Sequence, residues 1–590
     1  MRKIMTKEKI ALLLSAVVFM MPWILVCVRW MLPIGLFGLI LLVLLLRNTD
    51  YGVEQLRGSF RVPYVVLGLL VNGWIARDFF DAFVSAFLTS HLLNRIFALI
   101  PFLHISPKIA SAALCVVFAL LSLPFTCNLI RLFFADLTPT FSRAIKQFFS
   151  SQGMRRFWKS AAKSACILLI GITLGLGLLT AVFQIPTERI DRNVRSSAAV
   201  LAREDVYPTV SSNRKLDNFT DSVMLLNAAD DTEASALKKA VMVYRGTTTA
   251  QNGQSSYDSL VDHYIGGEAF AEKKTYARYW HGYLVFLKPL LLVMDYSAIR
   301  ILNGAVQGLL TLIVIVSLLR KRLYCPAVSF LLMYAAISPI LLLKSLQFSS
   351  CYYLLMLGCL VILWLPERSE NDKKYLYAFL CIGIATAYFD FLTYPVATFG
   401  IPAAVYICLK RASGEKHKLW ELCHTFAFWG VGYAGMWGSK WLLGTMLYGK
   451  EIMSDALQTI SFRTSNFNEG EVLYWNNCVI QTFKKFFSTP MSLILFVVLV
   501  LWIVRYVMKC RRDPRLLKRD IRLVPEYLFI ALLPFAWFAV MLNHSTVHLQ
   551  LSSKEYITSV FAVLCMFGEL QKRQNAKSPK EKNDTGPQSM

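Results

Sequence analysis

Long apolar runs recur along the whole 590-residue chain and are separated by short polar or basic segments. A run of about 18 or more apolar residues is long enough to cross the roughly 30 Å hydrocarbon layer of a bilayer as a helix. Clear examples are Ile10–Val28, Ile109–Phe134, Ile301–Leu319, Tyr324–Leu343 and Met491–Val507. The pattern predicts an all-α polytopic membrane protein with about 13–14 transmembrane helices.

The basic residues gather in the short segments between apolar runs. Cytoplasmic loops of membrane proteins carry an excess of Lys and Arg. With the basic N-terminus inside, the basic segments all fall on that same side; they include Arg143–Lys163, Arg320–Arg322, Lys410–Lys418 and Lys509–Arg522. The charge pattern therefore predicts a multi-pass protein of the cell membrane with cytoplasmic N- and C-termini.

One long segment without an apolar run interrupts this alternation. Residues 184–280 have nearly balanced charge, with Gly, Ser, Asn and Asp turn signals between short helical patterns. Since the preceding span leads outward, this segment is predicted to be an extracytoplasmic, α-rich loop domain. The chain then divides into a four-span module with a basic cytoplasmic loop (1–163), a transmembrane helix (164–183), the loop domain (184–280), a multi-span domain (281–570) and a disordered cytoplasmic tail (571–590).

The formal net charge of +25 raises the question of a nucleic-acid partner. Because the Lys and Arg residues lie in loops between spans, membrane orientation explains this charge and no nucleic-acid partner is expected. Most of the 13 cysteines lie in apolar runs, without a C-x-x-C pair or zinc spacing. They are interpreted as small apolar side chains that fill space between helices.

The segment Arg214–Ser222 carries the first candidate chemistry. Asp217 and Asp221 are four residues apart and would share one face of a helix. One carboxylate could act as a general base toward a hydroxyl, or the pair could hold a divalent cation, Mg²⁺ or Mn²⁺. The alternative is a simple helix start, with Asp217 as the N-cap and Asp221 in the first turn.

Histidines near predicted span ends form a second set of candidates. His281 follows Tyr279 and Trp280 and could bind phosphate or donate a proton, or could be a satisfied interface histidine. His544 and His548 lie four residues apart, ahead of Lys554. Because no third ligand stands at helical spacing, a cationic site for an anionic head group is favoured over zinc.

Three further charged residues stand near the predicted outer ends of spans: Lys344, Asp390 and Lys440. Lys440 could extend along its helix to the interface, as terminal lysines do. Asp390 lies among aromatic residues and needs a partner to be placed there. Seven residues are therefore predicted to lie on the outer face beside the loop domain and to contribute to substrate binding: His281, Lys344, Asp390, Lys440, His544, His548 and Lys554.

The order of these features resembles that of the GT-C class of membrane glycosyltransferases: a long outer loop after an early span, acidic residues in that loop, and basic or His residues in later outer loops. The segments KLDNFTDSVMLLN, YARYWHGYLVFLKPLL, YFDFLTYPVATFGIP and NHSTVHLQLSSKEY are similar to a group of bacterial polytopic proteins that we associate with this superfamily. The resemblance covers residues 164–570 and leaves the first four spans outside.

The resemblance implies an inverting enzyme of the bacterial cytoplasmic membrane that transfers a sugar from a polyprenyl-phosphate donor. The acceptor would be an envelope glycan or lipid. It assigns the acidic role to Asp217 or Asp221, and phosphate binding to Lys440, His544, His548 and Lys554. The sequence departs from the class in two ways: the acidic pair lies well inside the loop, and Lys554 stands where Arg is expected, although lysine cannot grip phosphate in a bidentate way.

Two other functions compete with this one. A polytopic transporter or flippase for a lipid-linked or anionic substrate would need ionisable residues near span midpoints or helices broken by Gly or Pro. A non-enzymatic subunit of an envelope assembly would use the loop domain as a docking surface. We favour the transferase and place the transporter second, because most charged residues stand at span ends rather than near span midpoints.

Overall fold

The computed structural model describes residue 11 and residues 14–18, 65–73, 115–127, 150–211, 214–249, 255–366, 373–414, 419–512 and 523–575. This part is mostly helical, which agrees with the predicted all-α class. Predictions for most of residues 1–149 and for residues 576–590 lie outside it. The chain divides into two compact units: unit 1 is Met1–Lys146, Gly470–Ile480 and Val497–Pro525, and unit 2 is Gln147–Glu469, Gln481–Phe496 and Glu526–Met590.

In unit 1, polar side chains connect apolar helical segments. The amide of Asn72 donates to the carbonyl oxygen of Ala119 at 3.1 Å, and the Thr126 hydroxyl donates to the Asn72 side chain at 2.7 Å. The hydroxyl of Ser15 accepts from the backbone N–H of Phe125 at 2.8 Å. These groups are buried, so each hydrogen bond satisfies a polar atom that would otherwise be costly among apolar side chains.

The first half of unit 2 contains seven helices and four short strands. In chain order they are α1 (Ser151–Val182), α2 (Thr187–Glu204), β1 (Thr209–Ser211), β2 (Arg214–Lys215), α3 (Asn218–Ala228), α4 (Ala236–Met242), β3 (Tyr244–Thr247), α5 (Ser256–Val261), β4 (Glu272–Thr275), α6 (Leu284–Leu291) and α7 (Tyr296–Arg320). A π-helical turn, Asp262–Gly266, follows α5.

The remaining elements are again nearly all helical. They are α8 (Tyr324–Ala336), α9 (Pro339–Lys344), α10 (Leu346–Trp364), α11 (Lys374–Phe389), α12 (Val396–Ala412), α13 (Leu419–Tyr448), α14 (Glu451–Thr464), β5 (Phe467–Asn468), β6 (Glu471–Val472), α15 (Trp475–Phe486), α16 (Pro490–Arg512), α17 (Val524–Val540), α18 (Leu542–Val547), α19 (Leu549–Ser552) and α20 (Tyr556–Asn575). A 3₁₀ turn, Ser553–Glu555, joins α19 to α20.

Three helices of the described part are long and apolar enough to cross a membrane. They are Met154–Val182, Tyr296–Arg320 and Leu346–Trp364. Helices Trp475–Phe486 and Pro490–Tyr506 pass the same test together, although they are bent by 111°. Length and composition thus support a membrane-type helical protein, while the predicted number of crossings stays a prediction.

Helix α7 distributes its residues in the way expected of a helix surrounded by lipid. Its apolar residues Ile301, Leu309 and Leu312 are 76%, 58% and 57% exposed. Its polar residues face inward: Asn303, Gln307 and Thr311 are all buried. A water-soluble surface helix has the opposite arrangement, so α7 has the character of a membrane helix.

Residues 184–280 fold against α1 and α6 in a shared apolar core. Its buried members include Leu201, Leu225, Leu260 and Leu287. The segment is helical, as predicted, but also contains two antiparallel strand pairs that the sequence did not indicate. In the longer one, β3 pairs with β4 from Tyr244↔Thr275 to Thr247↔Glu272.

Two glycines allow α11 and α13 to approach closely. A Cβ atom on Gly383 would lie 2.1 Å from the carbonyl oxygen of Trp429, and one on Gly432 would lie 2.2 Å from that of Leu380. Real Cβ atoms do not come so close to backbone, so only glycine fits at either position.

Candidate functional site

Asp217 and Asp221 both lie at the start of α3. Asp217 is the N-cap: its carboxylate accepts hydrogen bonds from the Thr220 backbone N–H at 3.2 Å and the Thr220 hydroxyl at 2.8 Å. Asp221 stands in the first turn. The alternative prediction of a helix start is therefore confirmed in geometry. It does not by itself decide whether either carboxylate also has a chemical role.

Asp221 is fully buried, and its carboxylate accepts four hydrogen bonds from α7 and from the start of α10. The donors are the Tyr296 hydroxyl, the Ser345 hydroxyl (3.3 Å) and the backbone N–H groups of Leu346 (3.2 Å) and Gln347 (3.1 Å). Asp221 thus caps the N-terminus of α10 from another part of the chain. Burial raises the pKa of Asp221 to about 6, although the Tyr296 hydrogen bond and the Arg300 charge oppose the rise.

An ion pair borders this cap. The guanidinium of Arg300 donates to both carboxylate oxygens of Glu204, at 2.6 and 2.9 Å. Its Nε donates to the carbonyl oxygen of Lys344 at 2.6 Å. Burial acts to raise the pKa of Glu204, but the paired Arg300 holds it below its ordinary value. Lys344, a predicted substrate-binding residue, thus contributes its carbonyl oxygen to this network.

Lys554 lies close enough to Asp217 for their charges to interact. Its side chain is 1% exposed, with Nζ 2.6 Å from the Gln550 carbonyl oxygen and 3.6 Å from the centroid of the Phe348 ring. Burial lowers the pKa of Lys554, as do the charges of Arg214 and Lys485, whereas Asp217 raises it. We call Arg214, Asp217, Lys485 and Lys554 the cation cluster.

The sequence analysis predicted two members of the cation cluster, Asp217 and Lys554, and missed the other two. Arg214 is 1% exposed and donates from Nη2 to the Phe486 carbonyl oxygen at 2.7 Å. Lys485 comes from α15, far along the chain. Arg214 is the first residue of the segment Arg214–Ser222 but was not assigned a role, and no local pattern indicates that α15 packs there.

His281 is buried in an aromatic surrounding. Its Nε2 lies 2.8 Å from the Tyr276 carbonyl oxygen, and its Nδ1 lies 3.2 Å from the Tyr283 hydroxyl. The backbone at His281 has φ +58°, a conformation that is unusual outside glycine. Burial, then the charge of Lys440, lowers the pKa of His281 well below its ordinary value. This geometry matches the alternative of a satisfied interface histidine.

His544 and His548 are adjacent, as their spacing predicted, with ring centroids 4.8 Å apart. His544 Nε2 contacts the Leu392 carbonyl oxygen at 2.9 Å, and His548 Nε2 accepts from Arg463 at 2.7 Å. Burial, reinforced by the Arg463 charge, lowers the pKa of His544 to about 3 and that of His548 to about 4. Arg463, which the sequence analysis missed, therefore supplies the positive charge at this site.

Lys440 is 1% exposed and does not extend to the surface. Its Nζ donates to the Ala240 carbonyl oxygen at 2.9 Å and lies 5.2 Å from the centroid of the Trp280 ring. Lys288, not singled out from the sequence, is placed similarly, with Nζ 2.7 Å from the Ala228 carbonyl oxygen. Each ammonium therefore meets a carbonyl near the C-terminus of a helix, where a positive charge is favourable.

Asp390 has the partner that the sequence analysis required. Both of its carboxylate oxygens accept from the Thr393 backbone N–H, at 3.2 and 3.1 Å, and the Thr393 hydroxyl donates as well. The partner is a neighbouring residue that closes a turn after α11. Asp390 is 3% exposed.

An apolar cavity of about 420 Å³ lies among α6, α7 and α10. Its wall includes Phe286, Leu302, Val306 and Leu354. Polar groups from Asn303, Ser349 and Tyr353 also line it, and the Tyr353 hydroxyl donates to the Asn303 side chain at 2.7 Å. Because α7 and α10 could both cross a membrane, the cavity is suited to a hydrocarbon chain.

The first turns of α10 connect the cavity, the Asp221 cap and the cation cluster. Leu346 lines the cavity and donates its N–H to Asp221, Ser349 also lines the cavity, and Phe348 contacts Lys554. Among the described residues, no group of three or more His, Cys, Asp or Glu side chains is placed to hold a metal ion. The described residues therefore provide no set of ligands for the predicted Mg²⁺ or Mn²⁺.

No family model, curated protein or solved structure matches this chain.

Proposed function

We propose that the protein is a membrane glycosyltransferase that moves a sugar from a polyprenyl-phosphate donor to an envelope glycan or lipid acceptor. Transfer would occur at the outer face of a bacterial cytoplasmic membrane, where residues 184–280 form the outer domain. The observation that carries the proposal is the cation cluster, in which Lys554 interacts with the carboxylate of Asp217 and with the charges of Arg214 and Lys485.

The charges of the cation cluster favour an anionic ligand. Arg214 and Lys554 are both 1% exposed, and among the groups that act on the charge of Lys554 one carboxylate, Asp217, opposes two cations, Arg214 and Lys485. Buried positive charge is costly, and a phosphate would supply negative charge through charge-assisted hydrogen bonds. Bound phosphate would also favour the charged form of Lys554, whose pKa burial lowers.

We assign the general base to Asp217 rather than to Asp221. An ionised carboxylate offers about four acceptor positions, of which the two Thr220 hydrogen bonds use two at Asp217. Asp217 is 8% exposed, whereas Asp221 is 0% exposed and accepts four hydrogen bonds. In this assignment Asp217 takes the proton of the acceptor hydroxyl, and Asp221 is a positioning residue.

The apolar cavity supports a lipid-linked substrate. Its wall is formed largely by hydrocarbon side chains of helices that could cross a membrane. The same turns of α10 contact the cavity through Leu346 and Ser349 and the cation cluster through Phe348. A donor with its chain in the cavity and its phosphate at the cluster would therefore bind across the start of α10.

The test compares envelope glycans of cells that carry the native protein, Asp217→Asn or Asp231→Asn at matched protein levels. Asp231 lies in the same domain, but its side chain is 65% exposed in an ion pair with Lys273. We expect Asp217→Asn to remove a sugar substituent that Asp231→Asn retains, because removal of a general base typically costs about 10²–10⁴ in rate. Unchanged glycans in both Asp217→Asn and a full deletion would overturn the proposal.

One observation favours the transporter alternative. Asp390 and Glu555 are carboxylates buried among helices, and the charge of Asp390 acts on Glu555. Buried ionisable groups between membrane helices are typical of ion-coupled transport. Substrate accumulation in sealed vesicles without release of a polyprenyl phosphate would favour a transporter over a transferase.

A further inference from the structure

Glu555 caps a helix from outside that helix. It ends the 3₁₀ turn before α20, and its Oε1 accepts from the backbone N–H of Val396 at 3.2 Å, the first residue of α12. Glu555 is 0% exposed. Within the described part of the chain, its second oxygen, Oε2, is buried without a hydrogen-bond partner.

Two hydroxyl groups on the same turns are likewise buried without a hydrogen-bond partner among the described residues. Ser552 and Thr558 are each 0% exposed, and their side-chain oxygens have no hydrogen-bond partner among the described residues. They precede and follow Glu555 by three residues, a spacing that places side chains on one face. This face points at the start of α12, because a Cβ atom on Gly400 would lie 2.2 Å from the Thr558 methyl group.

The charged group that acts on Glu555 is another carboxylate, Asp390. The charges of both carboxylates act on Tyr394 and Tyr433, and the charge of Asp390 acts on Cys351. Lys554 is next in sequence, but its ammonium donates to Gln550 and lies against the Phe348 ring. Ionising both carboxylates would place two like charges in one buried region, which is strongly unfavourable.

The hydrogen bonds show which carboxylate carries the charge. Asp390 accepts from the Thr393 N–H and hydroxyl, and such donors stabilise the ionised form. Glu555 accepts at Oε1 from the Val396 N–H, and the Ala397 N–H also lowers its pKa, but among the described residues Oε2 has no hydrogen-bond partner. A proton on Oε2 removes the negative charge that would otherwise be buried there without a donor.

We propose that Glu555 is a binding site for one proton, held on its buried Oε2, on the same turns as the buried hydroxyls of Ser552 and Thr558. The protonated carboxyl keeps its Oε1 contact with the start of α12 while Asp390 stays ionised. This inference does not depend on the proposed transferase activity. The competing occupant of the same oxygens is an alkali cation such as Na⁺, and the test distinguishes the two.

The primary experiment is infrared spectroscopy of the purified full-length protein in detergent at neutral pH. We expect the native protein to show the C=O stretching band of a protonated carboxylic acid and Glu555→Gln to lose it. The matched control is Glu526→Gln, which should keep the band: Glu526 is also buried, but its carboxylate pairs with Arg411 at 2.8 Å. A native protein without the band, or a band that survives Glu555→Gln, would overturn the proposal.

Thermal unfolding keeps the test valid if a variant folds poorly. Burial and Asp390 raise the pKa of Glu555, so the folded state binds this proton more tightly than the unfolded state. The contribution of Glu555 to the native Tm should therefore fall as pH rises above the ordinary glutamate pKa of about 4.3, so the native Tm minus the Tm of Glu555→Gln should decrease over that range. A rise in native Tm with NaCl that is absent with choline chloride would instead assign the site to Na⁺ and overturn the proton.

Discussion

The hydroxyl of Tyr296 donates a hydrogen bond to the buried carboxylate of Asp221. Tyr296 is the first residue of α7, and the same carboxylate accepts from two N–H groups that open α10. One side chain therefore joins α3 to two helices that could cross a membrane. This relationship gives Asp221 a structural role and leaves Asp217 as the carboxylate proposed to act as the general base.

Asp221→Asn should destabilise the folded protein strongly. An amide offers one acceptor oxygen and turns an N–H₂ group toward the donors that the carboxylate satisfies. We expect a loss of about 3 kcal/mol, measured by thermal or denaturant unfolding in detergent, and about 1 kcal/mol for Tyr296→Phe. Asp231→Asn, at an exposed ion pair, should change stability by less than about 1 kcal/mol. Equal stability of Asp221→Asn and Asp231→Asn would contradict the structural role.

The crossing of α11 and α13 depends on glycine. A methyl group at Gly383 or Gly432 would overlap backbone of the facing helix. We expect Gly383→Ala and Gly432→Ala each to cost about 1–3 kcal/mol, seen as a lower Tm and a smaller folded fraction in size-exclusion chromatography. Gly430→Ala is the matched control on α13, since a Cβ atom there meets no atom within 4 Å. If Gly430→Ala loses as much stability as Gly432→Ala, the loss would come from the helix itself and not from the close crossing of α11 and α13.

Acid should destabilise the protein through His544 and His548. Their pKa values of about 3 and about 4 lie below the ordinary histidine value, so the folded state resists protonation. Stability is then complete above about pH 6.5 and is lost as pH falls toward 4, by about 3 kcal/mol for His548 alone. His548→Gln keeps an acceptor for Arg463 and should flatten the fall in Tm between pH 7 and pH 5.

Arg463→Met tests the cause of this acid sensitivity. Arg463 donates to the nitrogen of His548 that would have to bind the proton, and its positive charge adds to the cost. Removing it should raise the pKa of His548 and weaken the acid slope. An unchanged slope in both His548→Gln and Arg463→Met would place the acid-sensitive group elsewhere.

Local sequence patterns predicted the features that local physics controls. The spacing of Asp217 and Asp221 indicated a helix start, and the structure has Asp217 as the N-cap and Asp221 in the first turn. The apolar run Ile301–Leu319 likewise predicted the helix Tyr296–Arg320. Capping and apolar periodicity depend on neighbouring residues, so they can be read without the tertiary structure.

The remaining contacts depend on packing between distant segments. Lys485 reaches Lys554 only because α15 lies beside the start of α20, and Glu204 meets Arg300 only because α2 packs on α7. For Glu204 and Arg300, the sequence does indicate that a partner is needed, because Arg300 interrupts an apolar helix and a charge there needs a partner. Its sequence position does not show which acid supplies that partner.

Lys554 and Lys440 provide a matched pair for the transferase proposal. Both are 1% exposed, donate to one backbone carbonyl oxygen and lie over an aromatic ring. Only Lys554 belongs to the cation cluster, where the phosphate is proposed to bind. Lys554→Met should therefore raise the KM for a polyprenyl-phosphate sugar by about tenfold or more, as expected for loss of a hydrogen bond between charged groups.

Lys440→Met controls for the loss of a buried ammonium, and its KM should stay within about twofold of the native value even if its Tm falls. Lys554→Arg separates charge from geometry, because arginine can contact phosphate in a bidentate way and should recover part of the lost affinity. The KM of each variant is obtained from rates measured over a range of donor concentrations and normalised to the amount of folded protein. Equal rises in KM for Lys554→Met and Lys440→Met would show that packing, rather than a phosphate contact, accounts for the effect, and the cation cluster would then lose its role in donor binding.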